Sequence, residues 1–229
     1  MTRRRWIARA AVAGTALLML AGCATLPDAP EGWQAVTLPG KAATVYRSEH
    51  KDGRPATAAV SRRSASLLRR DIGRPAHEVR EVAFSWWVQA ALPQADIADA
   101  TRDDAVARVL FSFDGDHAKL SPRDRMLFEL AHTLTGERPP YATLMYVYAN
   151  EQPVGAIVHN PRTDRIRKIV LDAGPGQKKR WREHRRDLVA DYRRAFGEEP
   201  GRLLSVALMT DSDNTQGEAL AWYGPLTLE

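Results

Sequence analysis

Acidic side chains grouped at strand ends are the first feature with chemical potential. Asp103-Asp104 precedes an apolar strand pattern, Asp114-x-Asp116 follows it, and Asp211-x-Asp213-Asn214 follows another. Carboxylates one residue apart at a strand end can converge on a hard cation such as Ca²⁺, which binds through several oxygens. An EF-hand is absent: the glycine comes late, at Gly217, and no glutamate closes a twelve-residue loop. Asp and Asn also favour turns because their side chains bond the nearby backbone, and that suffices for Asp114 and Asp116. Three oxygen-bearing side chains in four residues exceed what a turn needs. Asp211, Asp213 and Asn214 are therefore candidate ligand-binding residues together with Asp104, and Asp211 and Asp213 are the candidate ligands of a structural Ca²⁺. Arg108 lies inside a strongly apolar strand pattern and calls for a carboxylate partner from these acidic loops.

Aromatic residues form the second group. Trp86-Trp87 puts one ring on each face of its strand, because successive side chains alternate. Trp222-Tyr223 repeats this arrangement, and Tyr146 and Tyr148 share one face of theirs. A flat ring on an open sheet face suits stacking against a sugar, and Trp86 and Tyr146 are the candidates; core packing is the alternative role for each. Basic residues cluster in 162–168 and 178–186, as a solvated face or one turned toward an anionic partner. Nucleophilic catalysis has little support. The histidines are scattered, and neither a Gly-x-Ser-x-Gly elbow nor a His-Glu-x-x-His pair is present.

The elements that must position these groups are mostly short strands. Alternating runs occur at 33–38, 43–48, 57–61 and 64–70, with turns at Pro39-Gly40 and Asp52-Gly53. Stronger runs follow at 79–89 and 105–113, the latter with Val109, Phe111 and Phe113 on one face. Ser121-Pro122 reads as an N-cap with proline in the first turn. Met126, Leu127, Leu130, Ala131 and Leu134 then recur at helical spacing as far as Gly136. Strand patterns return at 143–149, 154–159 and 165–172. A second helix is expected over 178–196, closed by Gly197, with final strands at 203–210 and 219–228. Many short strands with helices only as insertions predict a mainly β fold, an antiparallel β-sandwich. No βαβ alternation, glycine-rich phosphate loop or internal repeat is evident.

The N-terminus carries an address. Arg3, Arg4, Arg5 and Arg9 precede an apolar run from Ala10 to Leu20, which ends in Leu20-Ala21-Gly22-Cys23. The run is too short to span a bilayer, which takes about 20 apolar residues, and has the length of a signal peptide. Small residues followed by cysteine are the pattern of a bacterial lipoprotein signal, in which the Cys23 thiol is lipidated before cleavage. The expected organisation is a signal peptide at 1–22, a lipidated proline-containing tether at 23–32 and one β-sandwich domain at 33–229. Thr2-Arg3-Arg4-Arg5-Trp6-Ile7 is compatible with twin-arginine as well as general export. Ala24 after the cysteine favours the periplasmic face of the outer membrane. Loss of four leader arginines lowers the formal charge of +5 to about +1, so bulk charge gives no case for a nucleic-acid partner. Cys23 is the only cysteine; the domain rests on its core, without disulfides.

Several longer stretches carry a resemblance. They include Asp104-Ala105-Val106-Ala107-Arg108-Val109, Phe113-Asp114-Gly115-Asp116, Pro140-Tyr141-Ala142-Thr143-Leu144-Met145-Tyr146-Val147 and Thr163-Asp164-Arg165-Ile166-Arg167-Lys168-Ile169-Val170. Asp191-Tyr192-Arg193-Arg194-Ala195-Phe196-Gly197 and Ala207-Leu208-Met209-Thr210-Asp211-Ser212-Asp213-Asn214-Thr215 complete the set. From about Trp33 to the C-terminus the chain resembles the bacterial domain-of-unknown-function family 3047. That resemblance implies an exported protein with a jelly-roll sandwich similar to carbohydrate-binding modules, and no established activity. Two places depart from the family pattern. Phe84-Ser85-Trp86-Trp87-Val88 stands where Trp-x-Trp-x-Val is usual, and Pro225 follows Gly224 where aspartate is usual. The expected function is a lipid-anchored envelope protein that binds a saccharide or other envelope component without catalysis. An assembly lipoprotein with an envelope protein partner and a glycan-acting hydrolase are the competing readings.

Overall fold

A computed structural model describes residues 29–229; the signal and lipidation motif at 1–23 lie outside the described residues. The strands in chain order are β1 (Gln34–Thr37), β2 (Val45–Lys51), β3 (Arg54–Arg62), β4 (Ser66–Pro75), β5 (Glu81–Val88) and β6 (Arg108–Phe113). Helix α1 (Pro122–Thr135) precedes β7 (Ala142–Ala149), β8 (Ile157–His159), β9 (Ile166–Ala173) and β10 (Trp181–Asp187). Helix α2 (Leu188–Phe196) leads to β11 (Arg202–Met209), β12 (Glu218–Tyr223) and β13 (Thr227–Leu228).

The protein is a mainly β, jelly-roll-like sandwich with two inserted helices. One sheet has the order β1-β4-β11-β6-β7-β9-β8; the other runs β10-β5-β12-β3-β2, with β13 added beside β5. Pairing is antiparallel except for β7 with β9, which are parallel. Alternation sorts the side chains as period two requires. Val109, Phe111 and Phe113 enter the main core with Trp86, Tyr146 and Tyr223. Leu110, Met145 and Val170 point to the other face of the larger sheet, where Ile97 from the β5–β6 connection covers them.

Both helices are capped as their sequences specify. Ser121 accepts a hydrogen bond from the Asp124 N–H and Asp187 from the Ala190 N–H. Gly136 and Gly197 close the helices at positive φ, 74° and 72°.

Two expectations change, and α1 adds a finding. The helix expected over 178–196 is helical only from Leu188; residues 181–187 form β10, paired with β5 from Trp181↔Trp87 to Asp187↔Glu81. Arg, Glu and Lys favour helix locally, but the pairing overrides that preference. Charged residues also suit a sheet-edge strand such as β10, because they discourage further pairing. The final strand breaks at Gly224-Pro225 into β12 and β13, since proline cannot donate to a central ladder. The apolar residues of α1 do not share one inward face. Leu127, Phe128 and Ala131 are half-buried, whereas Met126, Leu130 and Leu134 are 66%, 55% and 67% exposed.

Candidate functional site

Five of the seven predicted site residues come together at one end of the sandwich. β6 starts at Arg108, β11 ends at Met209, and the loops before β6 and after β11 meet there. Arg108 sends Nε to Asp211 Oδ1 and Nη2 to Asp211 Oδ2, both at 3.0 Å. The same Nη2 donates to Asp103 Oδ1 at 3.1 Å. Lys168, wholly buried on β9, donates to Asp103 Oδ2 at 2.5 Å and to the Ile97 carbonyl at 2.6 Å. Asp104 accepts from the N–H groups of Asn214 and Thr215 and from the Thr215 hydroxyl. Asp213 is paired with Lys41, and the Asn214 amide donates to the Ala100 carbonyl.

Carboxylate oxygens of Asp104, Asp211 and Asp213 lie within 4.8 Å of one another, a spacing that could hold a metal ion. Their oxygens already accept from Arg108, Lys41, Thr215 and backbone N–H groups, so the cluster compensates its own charge. Asp104, Arg108, Asp211 and Asp213 are all buried. The arrangement ties two loops to the sheet, as buried ion pairs with complete hydrogen bonding do. Burial pushes the Asp211 carboxyl up to about 7, against the pull of Arg108 and the Ala105 N–H. Burial would also raise Asp103, but Arg108 and Lys168 outweigh it and hold that carboxyl below its usual range. Burial, helped by Arg108, lowers Lys168 to about 8.

Trp86 and Tyr146, the other two predicted residues, lie elsewhere, between the sheets. Both rings are fully enclosed, so neither offers a face for stacking. Trp86 Nε1 donates to Asp172 Oδ2 at 2.8 Å, and Arg182 Nε and His184 Nε2 reach the same carboxylate at 2.9 and 3.0 Å. Tyr146 donates to Asp191 Oδ2 at 2.8 Å, and the Arg186 guanidinium bonds both oxygens of Asp191. Burial pulls Asp172 upward, but His184, Trp86 and Arg182 hold it below the usual carboxylate range. These contacts fasten β10 across to β9 and α2. Asp172 carried no motif, and Lys168 and Asp191 lay in family-like stretches that gave them no role. Arg182, His184 and Arg186 carried one faint signal: alternating positions read as a strand put all three on one face.

The open surface is on the other side of the six-stranded sheet. Trp181, Trp87 and Trp222 occupy one cross-strand row over β10, β5 and β12. Trp87 is enclosed: Lys51 Nζ lies 3.9 Å from its ring centre, and Trp222 meets it edge-on at 4.9 Å. Trp181 and Trp222 remain half-buried. Beside Trp181 is a pocket of ≈ 270 Å³ walled by Arg54, Ser85, Glu183 and Gly224. A second pocket of ≈ 450 Å³ contains Trp33, His50, Thr57 and Arg70. Both pockets include Pro55, Gly224 and Pro225, so the two are neighbours at the β12–β13 break, one beside Trp181 and the other beside Trp33.

Gly224 leaves room in the pocket beside Trp181. A Cβ there would run into Ser85 Oγ and lie 3.5 Å from Trp181 Cζ3. Arg54 lies over the Trp181 ring at 5.6 Å and pairs with Glu183. Arg70 lies over Trp33 at 5.0 Å, and its buried Nε has no hydrogen-bond partner. Trp33 and Trp181 carried no signal in the sequence because each is a lone aromatic, and only the tertiary structure brings them to neighbouring pockets.

Among solved structures, the chain is similar to the xyloglucanase domain of NopAA, a type three effector from Sinorhizobium fredii in complex with cellobiose. That match has a TM-score of 0.44 and 8% identity, covering 87% of this chain and 95% of the other. A mutant of ENZbleach xylanase aligns with a TM-score of 0.40 and 8% identity over 86% of this chain and 80% of the other. No curated protein matches the chain. The family model for a protein of unknown function, DUF3047, matches residues 31–227, and the chain belongs to that family.

Proposed function

We propose that this is a lipid-anchored envelope protein whose sandwich binds a saccharide chain, without catalysis, across the neighbouring pockets beside Trp181 and Trp33. The observation that carries the reading is a pair of neighbouring pockets that meet at Gly224-Pro225, each with a half-buried indole. Indole faces cover the apolar faces of sugar rings, and Arg54, Glu183, His50 and Arg70 supply donors and acceptors for hydroxyls. Binding rather than turnover fits the way the acids are engaged: Glu183 and Glu49, which line the two pockets, are bonded to Arg54 and to the Trp222 indole N–H. Asp172 and Asp211 are enclosed and committed to Trp86, Arg182, His184 and Arg108. The anchor rests on Leu20-Ala21-Gly22-Cys23, and the proposed location is the periplasmic face of the outer membrane.

Isothermal titration with peptidoglycan fragments and glycan oligomers tests the reading. Covering about 60 Å² of indole face is worth about 1.5 kcal/mol, or roughly tenfold in Kd. Trp181→Ala and Trp33→Ala should each weaken binding by about that factor with an unchanged circular dichroism spectrum. Absence of binding to every glycan, or wild-type affinity in both variants, refutes it.

A further inference from the structure

The exposed large hydrophobic side chains of the described residues are Val45, Met126, Leu130, Leu134 and Val154. Three of these recur at every fourth residue of α1, and so form one stripe along the helix. The opposite side of α1 is also apolar: Leu127, Phe128 and Ala131 are half-buried toward the body of the protein. A helix apolar on both sides is expected to be covered on both sides, and among the described residues only one side of α1 is.

The path of the chain indicates what covers the other. α1 connects the end of β6 at Phe113 to the start of β7 at Ala142. Leu203 pairs with both Phe113 and Arg74, so β4 ends at that same end of the sheet. β1 runs antiparallel to β4, with Gln34 opposite Arg69, and so enters the sheet from that end too. Arg69, the partner of Gln34, bonds Glu137 at 3.2 Å, two residues beyond α1. The chain leading back to Cys23 thus leaves the sandwich beside α1. Five residues lie between Cys23 and Ala29, a reach of at most about 20 Å.

Charge complements this placement. Lys119, Arg123, Arg125, Arg138 and Arg162 are exposed around α1, with the exposed acids Asp116, Glu129, Glu137 and Asp164; Glu137 is already paired with Arg69 and Asp164 with Arg167. An apolar stripe rimmed by arginines suits the boundary between acyl chains and anionic headgroups.

We infer that Met126, Leu130 and Leu134 dock on the lipid bilayer that holds the Cys23 acyl chains, so that α1 fixes how the sandwich sits on the membrane. This rests on the lipid anchor of the proposed function, not on the saccharide pockets.

The test uses the full-length lipidated protein in vesicles of phosphatidylethanolamine and phosphatidylglycerol. Acylated Cys23 cannot react with a thiol probe, so Leu130→Cys and Val154→Cys can each be labelled singly with an environment-sensitive fluorophore. Val154 serves as the control because it follows the far end of β7. Doxyl-labelled lipid should quench the probe at position 130 at least about threefold more than at position 154. Mass spectrometry of the Cys23 peptide separates the two ideas. An acylated protein with equal quenching at both positions overturns the docking and leaves the anchor standing. An unacylated Cys23 overturns both. Disulfide-linked dimers through position 130 in dilute, unlabelled, acylated protein would show that a second copy covers the stripe, and also overturn the inference.

Discussion

Replacing Arg108 by methionine tests whether the cluster of Asp103, Asp104, Asp211 and Asp213 is a self-compensated network. The substitution keeps an apolar stem of similar length but removes the guanidinium. Asp211 then loses both Arg108 bonds and keeps only the Ala105 N–H as a donor at 3.0 Å. Breaking a buried pair from one side costs about 3–5 kcal/mol, which for a domain of this size lowers Tm by roughly 10 °C. The loss should depend on pH, with a definite sign. Burial raises the folded-state Asp211 from its ordinary 3.8 to about 7. A raised carboxyl contributes stability that is fully present below the ordinary value and lost as pH rises through the folded one. Removing Arg108 raises the folded value further, so Arg108→Met should be costlier at pH 8, where the wild-type Asp211 is ionised, than at pH 5. Adding Asp211→Asn removes the stranded charge and should recover part of the loss at pH 8. Urea denaturation followed by circular dichroism at both pH values measures all four quantities. A cost under about 1 kcal/mol, or the same cost at pH 5 and pH 8, would refute the buried-network account.

Three further outcomes follow from other contacts. Gly224→Val should abolish glycan binding in titration while the fold persists, because its side chain meets Ser85 and Trp181 in the pocket they line; unchanged affinity would place the ligand elsewhere. Trp86→Phe removes the Nε1–H donor to Asp172 and should cost about 2 kcal/mol. Asp172 sits below its usual range in the fold, so its stabilisation is present above the ordinary carboxylate value and lost as pH falls through the lowered one; acid unfolding of Trp86→Phe should begin at higher pH. Cys23→Ala should release the protein from membranes on fractionation, and continued sedimentation with them would contradict the anchor.

The acidic loops show how much of the site was legible. Asp104, Asp211, Asp213 and Asn214 stood out by spacing, and Arg108 by its charge in an apolar strand. Their convergence follows from the pairing of β6 with β11, which brings both loops to one end of the sheet. Burial was not legible there, because an acidic loop open to water and one sealed by Arg108 and Lys168 read alike along the chain. Trp86 shows the same limit in reverse. Alternation correctly put it and Trp87 on opposite faces, but which face the second sheet covers is a property of the sandwich.

Local rules therefore determined the elements. Period-two alternation placed the strands, Ser121-Pro122 and Gly136 bounded α1, and Gly197 closed α2. The lipoprotein-type leader and the family resemblance were likewise contained in contiguous residues. Tertiary structure decided what depends on contacts between distant segments. It made a strand of residues 181–187, because pairing with β5 outweighs the helix preference of arginine and glutamate. It enclosed Trp86 and Tyr146, left the stripe of α1 uncovered by the other described residues, and brought Trp33 and Trp181 to neighbouring pockets. A residue's type fixes what it can bond; only packing fixes whether water or another side chain is there to bond it.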